Sequence, residues 1–293
     1  MTTAVEEHPT EPGERSGSGS AAHAPDTPLL AVRDLSVEFT LRGVRSTVVE
    51  DVSYSVGRGE FVGIIGETGS GKSVSLRAGL HALPRNARVL KGTRTFRGRD
   101  LTTMSAKELR GLRGAALGFI PQQPWSALNP VQRLERQFIA VGRSHGKSRE
   151  WVRDAARRML RRVEIGDPDR VLAGYSGELS GGMAQRVVIA ISLMLEPELL
   201  VADEPTTALD LTVQREILDL LNDICREDGR SVLLVTHDLG VVSTYCDRVY
   251  VMRHGRMVEE GPVDEVFAHP REAYTRVLIS AADDRIGEGG DDE

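Results

Sequence analysis

The stretch Gly66-Glu67-Thr68-Gly69-Ser70-Gly71-Lys72-Ser73 fits the spacing G-x-x-x-x-G-K-[ST]. Its glycines let the backbone curl so that successive N–H groups point inward at phosphate oxygens. A helix beginning there adds the positive end of its dipole. Lys72, one of the few lysines in an Arg-rich chain, would neutralise the β- and γ-phosphates, and the Ser73 hydroxyl would bind Mg²⁺. Such a site needs a carboxylate on a neighbouring strand. Asp203, directly after Leu199-Leu200-Val201-Ala202, fits a role of holding Mg²⁺ through water, and Glu204 is placed to polarise a water for in-line attack on the γ-phosphate. An acidic pair alone would read as an exposed loop; coupled to the glycine-rich loop it reads as nucleotide hydrolysis. Cys225 and Cys246 lack C-x-x-C spacing and read as buried thiols in a reducing compartment.

These residues need elements to carry them. Phe61–Ile65 is a continuous apolar run, as in a strand buried on both faces, and a helix is expected over Ser73–Leu83, closed by Pro84. Leu199–Ala202 and Val232–Val235 are further buried strands, with Ile217, Leu218, Leu221 and Ile224 marking one helix face between them. The N-terminal part has β character, with Leu30–Val32, Leu35–Phe39 and the period-2 run Val52–Val56 before a turn at Gly57-Arg58-Gly59. From Trp125 to about Asp167 strand signals vanish. Val152, Ala156, Met159, Leu160 and Val163 fall at helical spacing there, and Arg153, Arg157, Arg158, Arg161 and Arg162 read as the solvated face. The pattern predicts an α/β fold, a P-loop NTPase core with a mainly parallel sheet and a helical insertion.

A chain of 293 residues, 40% hydrophobic and 27% charged, can bury a sizeable core as one large or two small domains. No apolar run is long enough to span a bilayer, and the first 28 residues hold no signal-type apolar region. Residues 1–28, with four Pro and a GSGS run, and the acidic residues 283–293 are expected to be disordered tails around a domain at 29–282. The net charge is −6, but the first tail carries five acids and one Arg and the second six acids and one Arg, which leaves +3 for the domain. A mildly basic domain suits docking beneath an anionic membrane face.

Leu179-Ser180-Gly181-Gly182-Met183 resembles the LSGG-type signature of ATP-binding cassette (ABC) ATPases, and the other cassette motifs stand in family order. Gln122, in Phe119-Ile120-Pro121-Gln122-Gln123-Pro124, is similar to the Q-loop, with Gln123 where the family usually has an acid. Asp210, in Thr207-Ala208-Leu209-Asp210, matches the D-loop, and His237 the switch histidine. Phe39 sits where the family places an aromatic on adenine. The resemblance covers roughly 29–282 and implies an N-terminal antiparallel β subdomain and a helical subdomain at about 123–185. It implies ATP and Mg²⁺ as ligands. The nucleotide would be held by Phe39, Gly66, Glu67, Thr68, Gly69, Ser70, Gly71, Lys72 and Ser73, and Mg²⁺ by Ser73, Gln122 and Asp203. Catalysis would fall to Glu204, His237, Gln122 and Lys72. Ser180, Gly181 and Gly182 open a second helix N-terminus, a natural anion site. In the family that site, with the D-loop Asp210, meets the nucleotide of the opposite subunit, so that two ATP are sandwiched in a head-to-tail dimer.

Finer features resemble the ATPases of oligopeptide, dipeptide and nickel importers: Ser126-Ala127-Leu128-Asn129-Pro130, Met183 after the signature glycines, and the run Met252–Thr275 with His269-Pro270 and Ala273-Tyr274-Thr275. This implies membrane-spanning permease subunits as partners, with Trp125 and Leu128 as exposed anchors for them. It also implies a second ABC ATPase subunit (a paralogue or a copy), an indirect link to an extracytoplasmic solute-binding protein, and a place on the cytoplasmic face of the inner membrane. No nucleic-acid partner is expected. Relatives of the class carry a longer, sometimes cysteine-rich tail, so the resemblance leaves the cargo open, and no iron–sulfur cluster is expected here. Two alternatives are a non-transport cassette of the translation or DNA-repair type and a regulatory ATP-binding module. The first lacks its tandem cassette or coiled coil; intact Lys72, Asp203, Glu204 and His237 argue against the second.

Overall fold

The computed structural model describes residues 27–288 apart from Ala208, so residues 1–26 and 289–293 of the two expected tails lie outside it. Two sheets form, an antiparallel one as the family resemblance implies and a mainly parallel one as the sequence pattern predicts. The first is antiparallel, in the order β2 (Val44–Val56), β1 (Leu30–Leu41), β4 (Ala87–Phe96), β5 (Arg99–Asp100). The two short runs expected at 30–32 and 35–39 are one strand, β1. Its register shifts between Val32 and Leu35, where Asp34 takes a φ of 52°, so a bulge replaces the expected break.

The second sheet carries the apolar runs. Its order is β10 (Arg256–Pro262), β9 (Arg248–Arg253), β3 (Phe61–Ile65), β8 (Ser231–Val235), β7 (Leu199–Asp203), β6 (Leu117–Ile120), all parallel except β10. Period-2 alternation explains why these runs lack polar residues. Phe61, Ile65, Leu200, Ala202, Val232 and Leu234 face one core, whereas Val62, Ile64, Leu199, Val201, Leu233 and Val235 face another. The antiparallel sheet closes the second core; helices close the first.

Helix α1 (Lys72–Gly79) follows β3 and stops well before Pro84. His81, with a φ of 53°, closes it by donating its N–H to Ala78 O, and a side chain at Gly79 would strike the Tyr54 hydroxyl. Helix α2 (Ala106–Leu112) opens on a Ser105–Glu108 capping box. Between β6 and β7 come α3 (Leu134–Ser144), α4 (Arg149–Arg162), α5 (Pro168–Ala173) and α6 (Gly181–Leu193). On α4 the residues at helical spacing are buried or half-buried. Of its arginines, Arg153 pairs with Glu135, Arg157 with Asp169 and Arg162 with Asp228, so much of that stripe is neutralised locally. Leu128, expected to be an exposed anchor, is a core residue at 4% exposure, because the segment after β6 folds it into the apolar cluster that also holds Ala184 and Val188; Trp125 remains 47% exposed.

The chain then runs through α7 (Leu211–Arg226), α8 (Leu239–Tyr245), α9 (Val263–Ala268) and α10 (Ala273–Glu288). Residues 283–288, expected to lack structure, continue α10; they hold no proline, and a helix propagates easily once nucleated.

Candidate nucleotide site

Parallel strands point their carboxyl ends the same way, and ligands of such sheets bind beyond those ends. Here β3 leads into the Gly66–Ser73 loop, β7 ends at Asp203, β8 leads to Thr236 and His237, and β6 leads to Gln122. Four separate stretches of sequence thus meet at one edge.

The loop is shaped by its glycines. Gly66, Gly69 and Gly71 have φ of 149°, 85° and 104°, conformations side chains oppose. Gly71 is the N-cap of α1 and no side chain caps that helix, so its first-turn N–H groups are available to an anion. Ser70 Oγ is buried without a hydrogen-bond partner among the described residues. Lys72 Nζ donates to Gly66 O at 2.6 Å and Glu67 O at 2.9 Å. Burial holds that ammonium below the usual lysine range, against the pull of Glu204, Asp203 and Glu67.

Ser73 Oγ donates to Asp203 Oδ1 at 2.6 Å, while Arg77 Nη2 reaches Oδ2 at 3.2 Å. Asp203 is fully buried, so these partners offset the desolvation of its charge. A hydroxyl and a carboxylate in contact are the hard oxygen donors that Mg²⁺ selects. The orphaned Ser70 hydroxyl, the uncapped helix and this oxygen pair fit a nucleotide with its cation.

Glu204 leaves β7 with a φ of 47°, and its N–H donates to Val235 O at 2.8 Å. This strained turn aims its carboxylate at a convergence of donors. Oε2 accepts from Gln122 Nε2 at 3.0 Å and Thr207 Oγ1 at 3.0 Å, and His237 Nδ1 lies 3.5 Å away. Gln122 rather than Gln123 makes that contact. Gly66, Glu67 and Thr68 share with His237 and Asp238 a cavity of about 620 Å³, closed on one side by Leu278 and Ala281 of α10.

Among the described residues, the other expected ones make no hydrogen bond to the loop. Ser180 caps α6 by accepting from Met183 N at 3.3 Å. Gly181 and Gly182 are the first residues inside that helix. Asp210 caps α7 through Val213 N at 3.0 Å, and Phe39 packs half-buried against the second core. Sequence reasoning missed Arg77, and it quoted Thr207 and Tyr274 within motifs without giving them a part at this site. Arg77 lies one helical turn beyond Ser73, a spacing that could have flagged it, and Thr207 closely follows Glu204. Tyr274 carries no such local signal.

Fold and site together define a P-loop nucleotide-binding cassette with an inserted helical layer. The ABC transporter family model matches residues 49–207. A probable peptide ABC transporter ATP-binding protein, y4tR of Sinorhizobium fredii, is 44% identical over 259 residues, 88% of this chain and 77% of that protein. The peptidoglycan transport ATP-binding protein YejF of Agrobacterium fabrum is 45% identical over 256 residues, 87% of this chain, and the chain spans 47% of that protein's length. The dimeric structure of the ATP-binding cassette MJ0796 bound to ADP and Pi superposes with a TM-score of 0.71 at 27% identity, covering 80% of this chain and 98% of that one. The chain belongs to the ABC transporter family. It is an ATP-binding ATPase component of a transport system, with the α/β cassette fold its sequence predicted. No helix among the described residues is long and apolar enough to cross a membrane.

Proposed function

We propose that this protein hydrolyses ATP to power uptake of peptides or related small solutes, docked beneath permease subunits on the cytoplasmic face of the membrane. The convergence of Gln122, Thr207 and His237 on Glu204, beside the Gly66–Ser73 loop, carries the hydrolytic part of this reading. The relatives named for peptide and peptidoglycan transport support the cargo class. Exposed Trp125 and Val131, on the segment after β6, offer apolar surface to a partner.

The mechanism follows from the groups present. Gly69, Gly71 and the α1 N-terminus cradle phosphate oxygens; Lys72 exchanges the carbonyls of Gly66 and Glu67 for them. Ser73 and Asp203 would hold Mg²⁺, which when bound neutralises charge building on the β- and γ-phosphates. Glu204 accepts a proton from the attacking water, and Gln122 and Thr207 fix its carboxylate for that task. His237, 55% exposed, lies on the open side of the site where it can touch the γ-phosphate. The uncapped anion site is completed by Ser180, Gly181 and Gly182 of a second ATPase subunit, in an ATP-sandwiched dimer with Asp210 at the seam.

Glu204→Gln keeps the shape and the Gln122 contact but cannot take a proton. Its ATP turnover is expected to fall by about 10²–10⁴-fold, with ATP affinity retained and an ATP-dependent dimer accumulating in size-exclusion chromatography. Near-wild-type hydrolysis would sink the assignment.

A further inference from the structure

The C-terminal motif Ala273-Tyr274-Thr275 has no part in the chemistry above, yet it reaches the loop. Tyr274 is 7% exposed, and its hydroxyl accepts the Glu67 N–H at 3.2 Å. Glu67 N–H and Gly66 C=O belong to the same peptide unit, and Lys72 Nζ grips the carbonyl at 2.6 Å. That peptide is held at both edges, by Lys72 on one side and Tyr274 on the other.

The hold matters because of what Lys72 must do. Reaching a phosphate requires it to leave Gly66 O, and Gly66, lacking a Cβ, does little to keep its own peptide plane from turning. A turned plane would aim a carbonyl where the loop must present N–H groups. Tyr274 is the restraint that remains when Lys72 departs. The ring is itself braced: the Arg253 guanidinium stacks 4.7 Å from its centroid. The start of α10 is pinned to β10, where the Glu259 carboxylate accepts Arg271 N–H at 2.7 Å and Glu272 N–H at 3.1 Å. Burial raises the phenol above its usual range, so it stays neutral beside the phosphate loop.

We propose that Tyr274 is a positioning residue for nucleotide binding, a strut from β10 through α10 that fixes the Gly66–Glu67 peptide while Lys72 moves to the phosphates. The proposal rests on the reading of this loop as the ATP site. Tyr274→Phe in the full-length chain keeps the ring and its Arg253 contact and deletes only the hydroxyl. The loss of one hydrogen bond predicts a rise of about three- to tenfold in both the MgATP Kd, by calorimetry, and the KM for hydrolysis. The kcat should change less than about twofold and the unliganded Tm should hold, because the bond acts on loop order rather than on the attacking water. Tyr274→Ala should weaken MgATP at least as much and also lower the Tm. Wild-type Kd and KM in Tyr274→Phe would overturn the proposal, as would a fall in kcat alone or a Tm loss without an affinity loss. Lys72→Ala separates the two levels of the argument. If it abolishes MgATP binding while Tyr274→Phe binds normally, only the strut falls; if it binds like wild type, the nucleotide-site reading falls and the strut with it.

Discussion

Glu204 shows how much of the site depends on backbone conformations that residue type does not announce. Its φ of 47° places a non-glycine residue where L-side chains crowd the following carbonyl, a strain of about 1–2 kcal/mol that a functional turn can hold. The glycines of the loop avoid that strain, but their local surroundings differ. At Gly69 a Cβ would meet nothing within 4 Å, whereas at Gly66 it would sit 2.1 Å from Met252 O, a backbone atom of β9 that cannot step aside. Gly69→Ala should therefore lower stability by about 1 kcal/mol through φ alone, and Gly66→Ala by clearly more, since the strand must shift. Urea unfolding of the two variants measures the gap; equal midpoints would refute it. Residue types and spacing made Gly66–Ser73, Asp203 and Glu204 legible in the sequence. The partners that aim them were less so, because Tyr274 stands 207 positions from Glu67 and Gln122 stands 82 from Glu204, and only the sheet order brings them together.

At the scale of elements, the strands were readable because burial on both faces keeps β3 and the runs Leu199–Ala202 and Val232–Val235 free of polar residues. Their lateral order was not, since nothing in Phe61–Ile65 says that it lies between β8 and β9. Helix ends were misread where a tertiary contact decides them. Gly79 ends α1 under Tyr54, well short of the Leu83 its sequence suggested. The helical layer offers a clean test of its independence from the nucleotide edge. Gly142 on α3 lets α4 approach so closely that a Cβ there would lie 2.2 Å from Val152 Cγ2. Gly142→Ala is expected to overpack this crossing and destabilise by about 1–3 kcal/mol. Phe138 and Val152, the core residues beside it, do not touch the phosphate loop's hydrogen bonds, so the MgATP Kd should remain within about twofold while the urea midpoint falls. A variant that lost affinity in step with stability would mean that overpacking at this crossing distorts the phosphate loop of the native state itself.

At the scale of the whole molecule, the helical core and the loop do share a wall. Phe61 and Ile65, the ends of the strand that carries the loop, belong to the same apolar cluster as Cys225 and Cys246. Both cysteines are free and buried, as their lack of spacing motifs suggested. Burial pushes the Cys225 thiol up to about 11 and raises Cys246 further. Each group titrates above its ordinary value in the folded state, so at pH 8 the native chain holds almost no thiolate, and reactive anion appears only when the core opens. Opening that core displaces β3 and with it the phosphate loop, so the open form cannot keep its nucleotide. Ligand bound to the closed form alone suppresses opening by the ratio of ligand to Kd, about a hundredfold at 100 Kd. Modification by a thiol reagent at pH 8 should accordingly be slow in the unliganded protein and about a hundred times slower in Glu204→Gln with saturating MgATP, where turnover does not deplete the ligand. Urea should release both thiols together. If MgATP left the labelling rate unchanged, the cysteines would be opening through a local motion of α7 and α8, and the shared wall between helical core and nucleotide edge would not act as one cooperative unit.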